Sequence, residues 1–113
     1  MSATDTTNTR EIVDLTFSTL MAKDATGFLA LIAEDAVFFD PHYPVQNMKG
    51  KAAITEGIAW GLGSMESMGF KVEKYFPGED GQSAAVEVAT SHVLKGGKKL
   101  NFPQAFVFEF KTV

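Results

Sequence analysis

The sequence predicts an α+β domain in which three helices from the N-terminal half pack on one face of a curved antiparallel sheet. Two patterns carry this prediction: apolar residues recur every three or four positions up to about residue 66, and from Phe70 onward they alternate with other residues. The segment from Leu100 to Phe110 is the clearest strand, because one of its faces is apolar except for Gln104. A face this apolar is expected to be covered by helices.

The first two helices have recognisable start signals. Asn8 followed by Glu11 matches the capping-box pattern, and the apolar residues after it predict a first helix over about residues 8–22. Asp24 is the expected N-cap of a shorter second helix that ends near Ala33. The two helices are therefore expected to meet at a tight corner.

The remaining elements follow from periodicity and turn residues. A third helix is expected over residues 51–66, where apolar side chains are spaced by four, four and three positions. Its glycines weaken it, because each costs about 1 kcal/mol relative to alanine inside a helix. The segment between Asp40 and Gly50 is expected to be a loop. β-Branched and aromatic residues predict four strands, over residues 36–39, 70–76, 83–94 and 100–110.

Composition limits the classes of function. A chain of 113 residues can bury one core, and we expect a single domain over residues 1–113. The net charge is −4 and the lysines are dispersed apart from those in 95–99, so no nucleic-acid partner is expected. The absence of cysteine excludes disulfides and thiolate ligands. Residues 1–11 lack the apolar stretch of a secretion signal and no window approaches the ~20 apolar residues that span a bilayer, so a cytoplasmic protein with no membrane partner is expected.

The motif FFDPHYP, residues 38–44, places a carboxylate, an imidazole and a phenol around two prolines. Because a proline favours extended geometry in the residue before it, Asp40 and Tyr43 are expected outside any helix. Asp40 is either a general base in an apolar site or a turn residue that accepts local N–H groups. His42 is either a proton relay or ligand beside Asp40 or an exposed loop residue. Tyr43 either donates to a ligand or caps the mouth of the curved sheet.

Two polar residues interrupt the apolar strand faces. His92 is in phase with the apolar residues of 83–94 and is either a core residue or a functional one. Gln104 lies among phenylalanines, and a buried amide needs a partner such as a ligand polar group or a pocket water. With Asp40 and His42 these residues give no recognisable metal-ligand spacing, so neither a metal nor a cofactor is expected.

A family resemblance rests on the string FLALIAEDAVFFDP followed by GKAAITEG. Its most specific part runs from Gly27 to Gly57: an apolar helix end, Glu34-Asp35-Ala36 leading into a strand, the Asp-Pro step, and a glycine that opens the next helix. With this order of elements, nearly the whole chain resembles the nuclear transport factor 2-like superfamily, and within it the SnoaL-like and ketosteroid-isomerase-like branch.

The resemblance implies a cone-shaped sheet, a deep apolar pocket between sheet and helices, and a homodimer formed through the outer face of the sheet. It also implies that Asp40 stands where ketosteroid isomerases have their general base. Thr16 occupies the position of their oxyanion-hole tyrosine, and no acid lies on the inward face of 100–110, so steroid isomerisation by that mechanism is not expected. Family members usually continue into one more strand, which is expected either to be absent here or to lie beyond Val113.

The expected site therefore combines a catalytic motif with a pocket for a small apolar ligand. The expected catalytic residues are Asp40, assisted by His42 or Tyr43. The expected pocket residues are Thr16, Phe17, Phe38, Trp60, Met65, His92, Phe102, Gln104 and Phe106. Three functions stay open: acid–base catalysis of the isomerase, cyclase or hydrolase type on a small hydrophobic molecule, binding of such a molecule without catalysis, and a dimerisation module.

Overall fold

The structure of the protein is a computed structural model that describes residues 9–111. Within this range the helices are α1 (Thr9–Met21), α2 (Ala25–Ala30) and α3 (Lys51–Ser64). The strands are β1 (Val37–Phe39), β2 (Asn47–Lys49), β3 (Met65–Ser67), β4 (Phe70–Pro77), β5 (Ser83–Leu94) and β6 (Lys99–Glu109). The helices pack on the concave face of a curved antiparallel sheet, which confirms the predicted α+β fold.

The predicted helices are present, with small differences at their ends. Asn8, the expected N-cap of α1, lies outside the described residues. Asp24 caps α2 as expected, because its side chain accepts a hydrogen bond of 2.9 Å from the backbone N–H of Gly27. α2 ends at Ala30 rather than near Ala33, since the next backbone N–H groups bond three residues back and tighten the chain into a turn.

The sequence prediction missed β2 and β3. β2 lies in the segment expected to be a loop, where it pairs with β1 and sets Met48 opposite Phe38. β3 begins where α3 was expected to continue, because the chain becomes extended at Met65, with φ −115° and ψ 136°. Each strand has three residues, too few to show an alternation, and each depends on a partner strand elsewhere in the chain.

β5 is the central strand of the main sheet. One edge pairs with β6, from Ser83 opposite Glu109 to Val93 opposite Lys99. The other edge pairs with β4 and then, further along, with β3. Register shifts within β4 and within β3 are irregularities of the β-bulge type, which bend and twist a sheet. This bending gives the sheet its concave face.

The core occupies the concave side as two clusters. In the first, Val13 and Phe17 of α1 pack against Val86 and Val88 of β5. The second joins the end of α1 to α2, α3 and β2, and its buried members are Leu20, Phe28, Met48, Ile54, Ile58 and Met68. Between them the two clusters attach every helix to the rest of the molecule.

The inward face of β6 is covered as predicted. Side chains at even positions from Leu100 to Phe110 are half-buried, whereas those at odd positions are exposed. The ring of Phe17 covers Phe106 and Phe108, with centroid separations of 5.1 and 6.0 Å. This alternation confirms that the phenylalanine face of the strand points away from bulk solvent.

Gly57 and Gly63 provide a matched test of how α3 packs. A Cβ added at Gly57 would lie 2.2 Å from Sδ of the buried Met48, whereas one added at Gly63 would meet no atom within 4 Å. Gly57→Ala is therefore expected to lower the free energy of unfolding by about 1–3 kcal/mol through overpacking. Gly63→Ala is expected to raise it by up to about 1 kcal/mol through helix propensity. Urea denaturation followed by circular dichroism measures both changes, and a stabilised Gly57→Ala protein would contradict this packing.

Candidate functional site

A cavity of about 490 Å³ lies between the concave face of the sheet and the helices. It is bounded by the end of α1, the loop after β1, the second half of α3, and the parts of β5 and β6 nearest their connecting turn. Its aromatic walls are formed by Phe38, Trp60, Phe70, Phe102 and Phe106. A cavity of this size and lining is within the ordinary range of about 300–1,000 Å³ for small-molecule sites.

The cavity wall also carries polar groups from separate parts of the chain. The loop after β1 contributes Asp40, His42 and Tyr43, while His92 comes from β5 and Gln104 from β6. Ser64 and Lys95 complete the polar lining. The tertiary fold therefore brings together the residues of the FFDPHYP motif and the two polar residues that interrupt the apolar strand faces.

The geometry of Asp40 leaves open both interpretations that the sequence offered. As a turn residue, it accepts two hydrogen bonds through Oδ1, one of 2.9 Å from the backbone N–H of His42 and one of 2.8 Å from Nδ1 of the same residue. Its own backbone N–H bonds to the carbonyl of Gln46, which closes the loop. Yet only 12% of the side chain is exposed, and it forms part of the cavity wall. The local bonds thus hold a carboxylate at the edge of an apolar cavity.

His42 links that carboxylate to solvent. Because a carboxylate only accepts hydrogen bonds, the His42 ring donates through Nδ1–H. Its side chain is 61% exposed, and its ring centroid lies 5.5 Å from that of Phe102. His42 is therefore both an exposed loop residue and a partner of Asp40.

Tyr43 presents a neutral phenol to the cavity. Its ring packs between Phe38 and Trp60, at centroid separations of 5.6 and 5.4 Å. Burial, assisted by the negative charge of Asp40, raises the pKa of Tyr43 to about 12. The hydroxyl group makes no hydrogen bond within residues 9–111, so it remains an available donor. A Cβ on Gly61 would lie 2.9 Å from this oxygen, which explains why a glycine faces it.

His92 is a buried imidazole in the wall of the cavity. Its Nδ1 accepts a hydrogen bond of 3.3 Å from the backbone N–H of Gly69, and its ring meets those of Phe70 and Phe102 edge-on. Burial lowers the pKa of His92 below its ordinary value, and His42 acts in the same direction, whereas the Ser91 carbonyl and Asp40 oppose the shift.

Gln104 has a definite partner for its amide oxygen. Oε1 accepts a hydrogen bond of 2.6 Å from the hydroxyl of Thr90, which is almost completely buried on the neighbouring strand. The amide nitrogen has no hydrogen-bond partner in the described part of the chain. Gln104 can therefore donate toward a molecule in the cavity while Thr90 holds its side chain in place.

The expected pocket residues divide into two groups. Phe38, Trp60, Met65, His92, Phe102, Gln104 and Phe106 line the cavity. Thr16 and Phe17 are placed elsewhere, since the Thr16 hydroxyl bonds the Ile12 carbonyl within α1 and the Phe17 ring is buried in the first core cluster.

Other lining residues were missed by the sequence prediction. They are Leu20, Ser64, Phe70, Leu94, Lys95 and Leu100. Leu94 and Leu100 share the strand phase of His92 and Phe102, so alternation contained the signal for both. Leu20 had no such signal, because its position depends on where α1 crosses the sheet.

The family is shown by a match over most of the chain. The family model of the SnoaL-like domain covers residues 13–112. The chain belongs to the SnoaL-like domain family. This confirms the predicted place in the nuclear transport factor 2-like superfamily. No curated protein sequence matches the chain significantly.

Solved structures share the fold at low sequence identity. RV0760c from Mycobacterium tuberculosis, in complex with estradiol-17β-hemisuccinate, aligns with a TM-score of 0.77 and 20% identity over 88% of this chain and 81% of that chain. The Δ5-3-ketosteroid isomerase from a Mycobacterium species aligns with a TM-score of 0.79 and 18% identity over 90% and 82%. An NTF2-like protein of unknown function from Burkholderia pseudomallei gives 0.80 and 16% over 98% and 83%. These similarities establish the fold. They do not establish the activity, which has to be inferred from the residues of the site.

Two further observations concern the described residues alone. No group of three or more His, Cys, Asp or Glu side chains within 9–111 is arranged to hold a metal ion. No helix in the same range is long and apolar enough to cross a membrane.

The lowered pKa of His92 predicts a pH dependence of stability. Below its ordinary value of 6.5, the unfolded chain binds a proton at this position more readily than the folded chain does. The free energy of unfolding should therefore fall as the pH drops from about 6.5 toward 5, with no contribution from His92 at pH 8. His92→Gln should flatten that part of the curve in urea denaturation measured across this range. An unchanged slope would contradict a buried neutral imidazole.

Proposed function

We propose that the cavity binds a small, largely apolar molecule with a carbonyl group, and that Asp40 moves a proton at the carbon beside that carbonyl. The observation that carries this proposal is a nearly buried carboxylate on the wall of an aromatic cavity. A carboxylate in such a setting is suited to take a proton from carbon and return it. The same fold accommodates a steroid derivative in RV0760c, which supports a ring-containing ligand here.

The reaction requires donors as well as a base. When Asp40 takes the proton, the C–H electron pair forms a carbon–carbon double bond and negative charge develops on the carbonyl oxygen. A preorganised donor at that oxygen typically contributes about 3 kcal/mol to transition-state stabilisation. The Tyr43 hydroxyl and the Gln104 amide nitrogen have no protein acceptor in the described part of the chain, and His92 contributes an imidazole to the same cavity wall, which supports this role.

These donors differ from those of ketosteroid isomerases, where a tyrosine and a protonated aspartic acid bind the oxygen. Thr16 stands at the tyrosine position and bonds its own helix, and the inward face of β6 has no acid. The proposed chemistry therefore shares the base with that enzyme and obtains its donors from other elements of the fold.

His42 acts in this proposal as a positioning residue. Its two hydrogen bonds go to Oδ1 of Asp40, and Oδ2 has no hydrogen-bond partner within residues 9–111. Since the carboxylate is held from one side, Oδ2 is the oxygen available to a substrate. An isomerisation needs no second acid or base, because the oxygen that takes the proton from one carbon can return it to another.

The same hydrogen bonds favour a second candidate, a module that binds without catalysis. Both hydrogen bonds to Oδ1 come from His42 of the same loop, as in a residue whose role is to shape a turn. A protein that used Asp40 only to build its loop would retain this cavity and bind the same class of molecule.

We also propose a homodimer formed through the outer face of the sheet. The middle of the outer face of β5 and β6 carries Ala89, Pro103, Ala105 and the 78% exposed Val107, with Glu87 as the charged residue among them. Two such faces can approach closely because their side chains are short. If neither binding nor catalysis were found, this surface would support the dimerisation module.

Asp40→Asn separates catalysis from loop structure. In D₂O, wild type is expected to accelerate deuterium exchange at the carbons beside the carbonyl of 2-tetralone, measured by proton NMR. Asp40→Asn should lower that rate by at least about 100-fold, because asparagine keeps an acceptor for His42 but is not a base. Asp35→Asn is the matched control, since Asp35 is an exposed carboxylate paired with Lys111 outside the cavity.

The outcomes distinguish the candidates. Equal exchange rates in Asp40→Asn and wild type, with binding retained, would contradict catalysis and favour the binding module. Binding is followed by the shift of the Trp60 indole cross-peak, which is unambiguous because the chain has one tryptophan.

Ala105→Lys tests the dimer. The side chain at position 105 lies opposite Glu87 on β5, so a lysine there pairs locally and does not disturb the monomer. Its charge should nevertheless separate two apposed faces, giving a monomer by size-exclusion chromatography with light scattering. Ala59→Lys on the exposed side of α3 is the matched control and should remain dimeric. A monomeric wild type would contradict the proposal.

A further inference from the structure

The junction between β3 and β4 is held tightly against β5 by Gly69. Its carbonyl accepts a hydrogen bond of 2.8 Å from the backbone N–H of Ser91, and its own N–H points to Nδ1 of His92 at 3.3 Å. A Cβ at this position would lie 2.5 Å from the Ser91 carbonyl oxygen, so only glycine allows the strands to approach this closely. The position of the Gly69 N–H relative to His92 is therefore set by the backbone.

This contact assigns the proton of His92 to one of its two ring nitrogens. A backbone N–H can only donate, so in this contact Nδ1 is the acceptor and the proton of the neutral ring lies on Nε2, whereas the Ser91 carbonyl, the other backbone group that bonds the ring, would need a ring N–H as its donor. Burial lowers the pKa of His92, which keeps the ring neutral at physiological pH, while Asp40 and His42 are the titratable neighbours that act on it. His92 is thus a fixed donor and not an acid at that pH.

The Nε2 side of the ring is open. Nε2 has no hydrogen-bond partner within residues 9–111, yet no buried nitrogen or oxygen of a side chain there is left without a partner. Nε2 is therefore accessible, and the surface to which His92 contributes is that of the cavity. Phe70 and Phe102 meet the ring edge-on at centroid separations of 5.0 and 6.2 Å and fix its plane.

His92 and Asp40 line the same cavity. The ring of Phe102 lies within 6.2 Å of His92 and within 5.5 Å of His42, which in turn bonds Asp40. A molecule lying along the ring of Phe102 would therefore contact both His92 and the pair formed by His42 and Asp40.

We infer that His92, through Nε2–H, binds the carbonyl oxygen of the substrate and is the principal specificity-determining donor of the site. This rests on the proposed function and goes further, since it assigns the oxyanion contact to one residue. When Asp40 removes the proton, the developing negative charge stays on the oxygen, and the Nε2–H bond strengthens without proton transfer. The site thereby selects ketones over hydrocarbons of the same shape.

The test uses two probes that differ in one oxygen, 2-tetralone and tetralin. Wild type is expected to bind 2-tetralone more tightly, with both dissociation constants taken from the Trp60 indole cross-peak. His92→Phe should weaken 2-tetralone by about 10-fold and leave tetralin within about twofold, because only the ketone needs the donor. His92→Gln, which retains an N–H donor, should restore part of the preference. Thermal melts of both variants establish that they fold.

A second measurement needs no substitution. Long-range ¹H–¹⁵N spectra of wild type should show His92 with the proton on Nε2. A proton on Nδ1, which would bond the Ser91 carbonyl instead, would overturn the inference. Equal weakening of both probes in His92→Phe would also overturn it, because the loss would then be one of packing.

The two proposals fail in different ways. Deuterium exchange that depends on Asp40 but is unchanged in both His92 variants would refute the role of His92 and leave catalysis intact. A ketone preference that depends on His92, without any exchange, would refute catalysis and leave the donor assignment intact. A wild type that binds neither probe would refute both.

Discussion

The fold depends on β5, which hydrogen-bonds along both of its edges. β6 follows one edge for nearly the whole strand, while the other edge is shared by β4 and then β3. Because side chains alternate along a strand, every second residue of β5 faces the helices. The inward series changes from Val86 and Val88, which are pure core, to Thr90 and His92, which are polar. One strand therefore builds the interior at one end and a site at the other.

The cavity exists because α1 covers only part of the concave face. Phe17 fills the space over Phe106 and Phe108, and Leu20 is the last residue of the helix to reach the interior. The chain then turns at Lys23, which has a φ of 56°, and α2 packs toward α3 instead of along the sheet. α1 therefore does not cover the inward face of β6 from Leu100 to Gln104, and the loop after β1 closes this part of the cavity from the side.

The polar groups of the site fall into two classes by charge. Asp40 is bonded by His42 near the opening, where solvent reaches the pair. Tyr43 and His92 are both held neutral by burial, one by a raised and the other by a lowered pKa. Burial shifts the two pKa values in opposite directions, and in both cases the result is an uncharged side chain that can donate a hydrogen bond. The aromatic walls, the one carboxylate and the neutral donors are the features from which we propose a ligand that is apolar apart from an oxygen acceptor.

The helices, the longer strands, the Asp24 cap and the FFDPHYP turn could be predicted from the sequence, because periodicity, capping and proline geometry act within a few residues. The same holds for the apolar inward face of β6. Asp40, His42 and Tyr43 were identifiable for a similar reason, since their residue types and spacing are local properties. Family resemblance then supplied the cone shape of the sheet and the expectation of a deep cavity.

Tertiary structure alone decided the rest. β2 and β3 form only because other strands offer them hydrogen bonds, β1 across a short loop in the case of β2 and the distant β5 in the case of β3. How α1 crosses the sheet decides which of its side chains reach the cavity. Leu20 lines the cavity, whereas Thr16 bonds its own helix. The partners of His92 and Gln104 depend on strand register, and register is a relation between segments far apart in the chain. The sequence by itself thus determined the elements and the chemical groups, while the direction in which each group points was decided by packing.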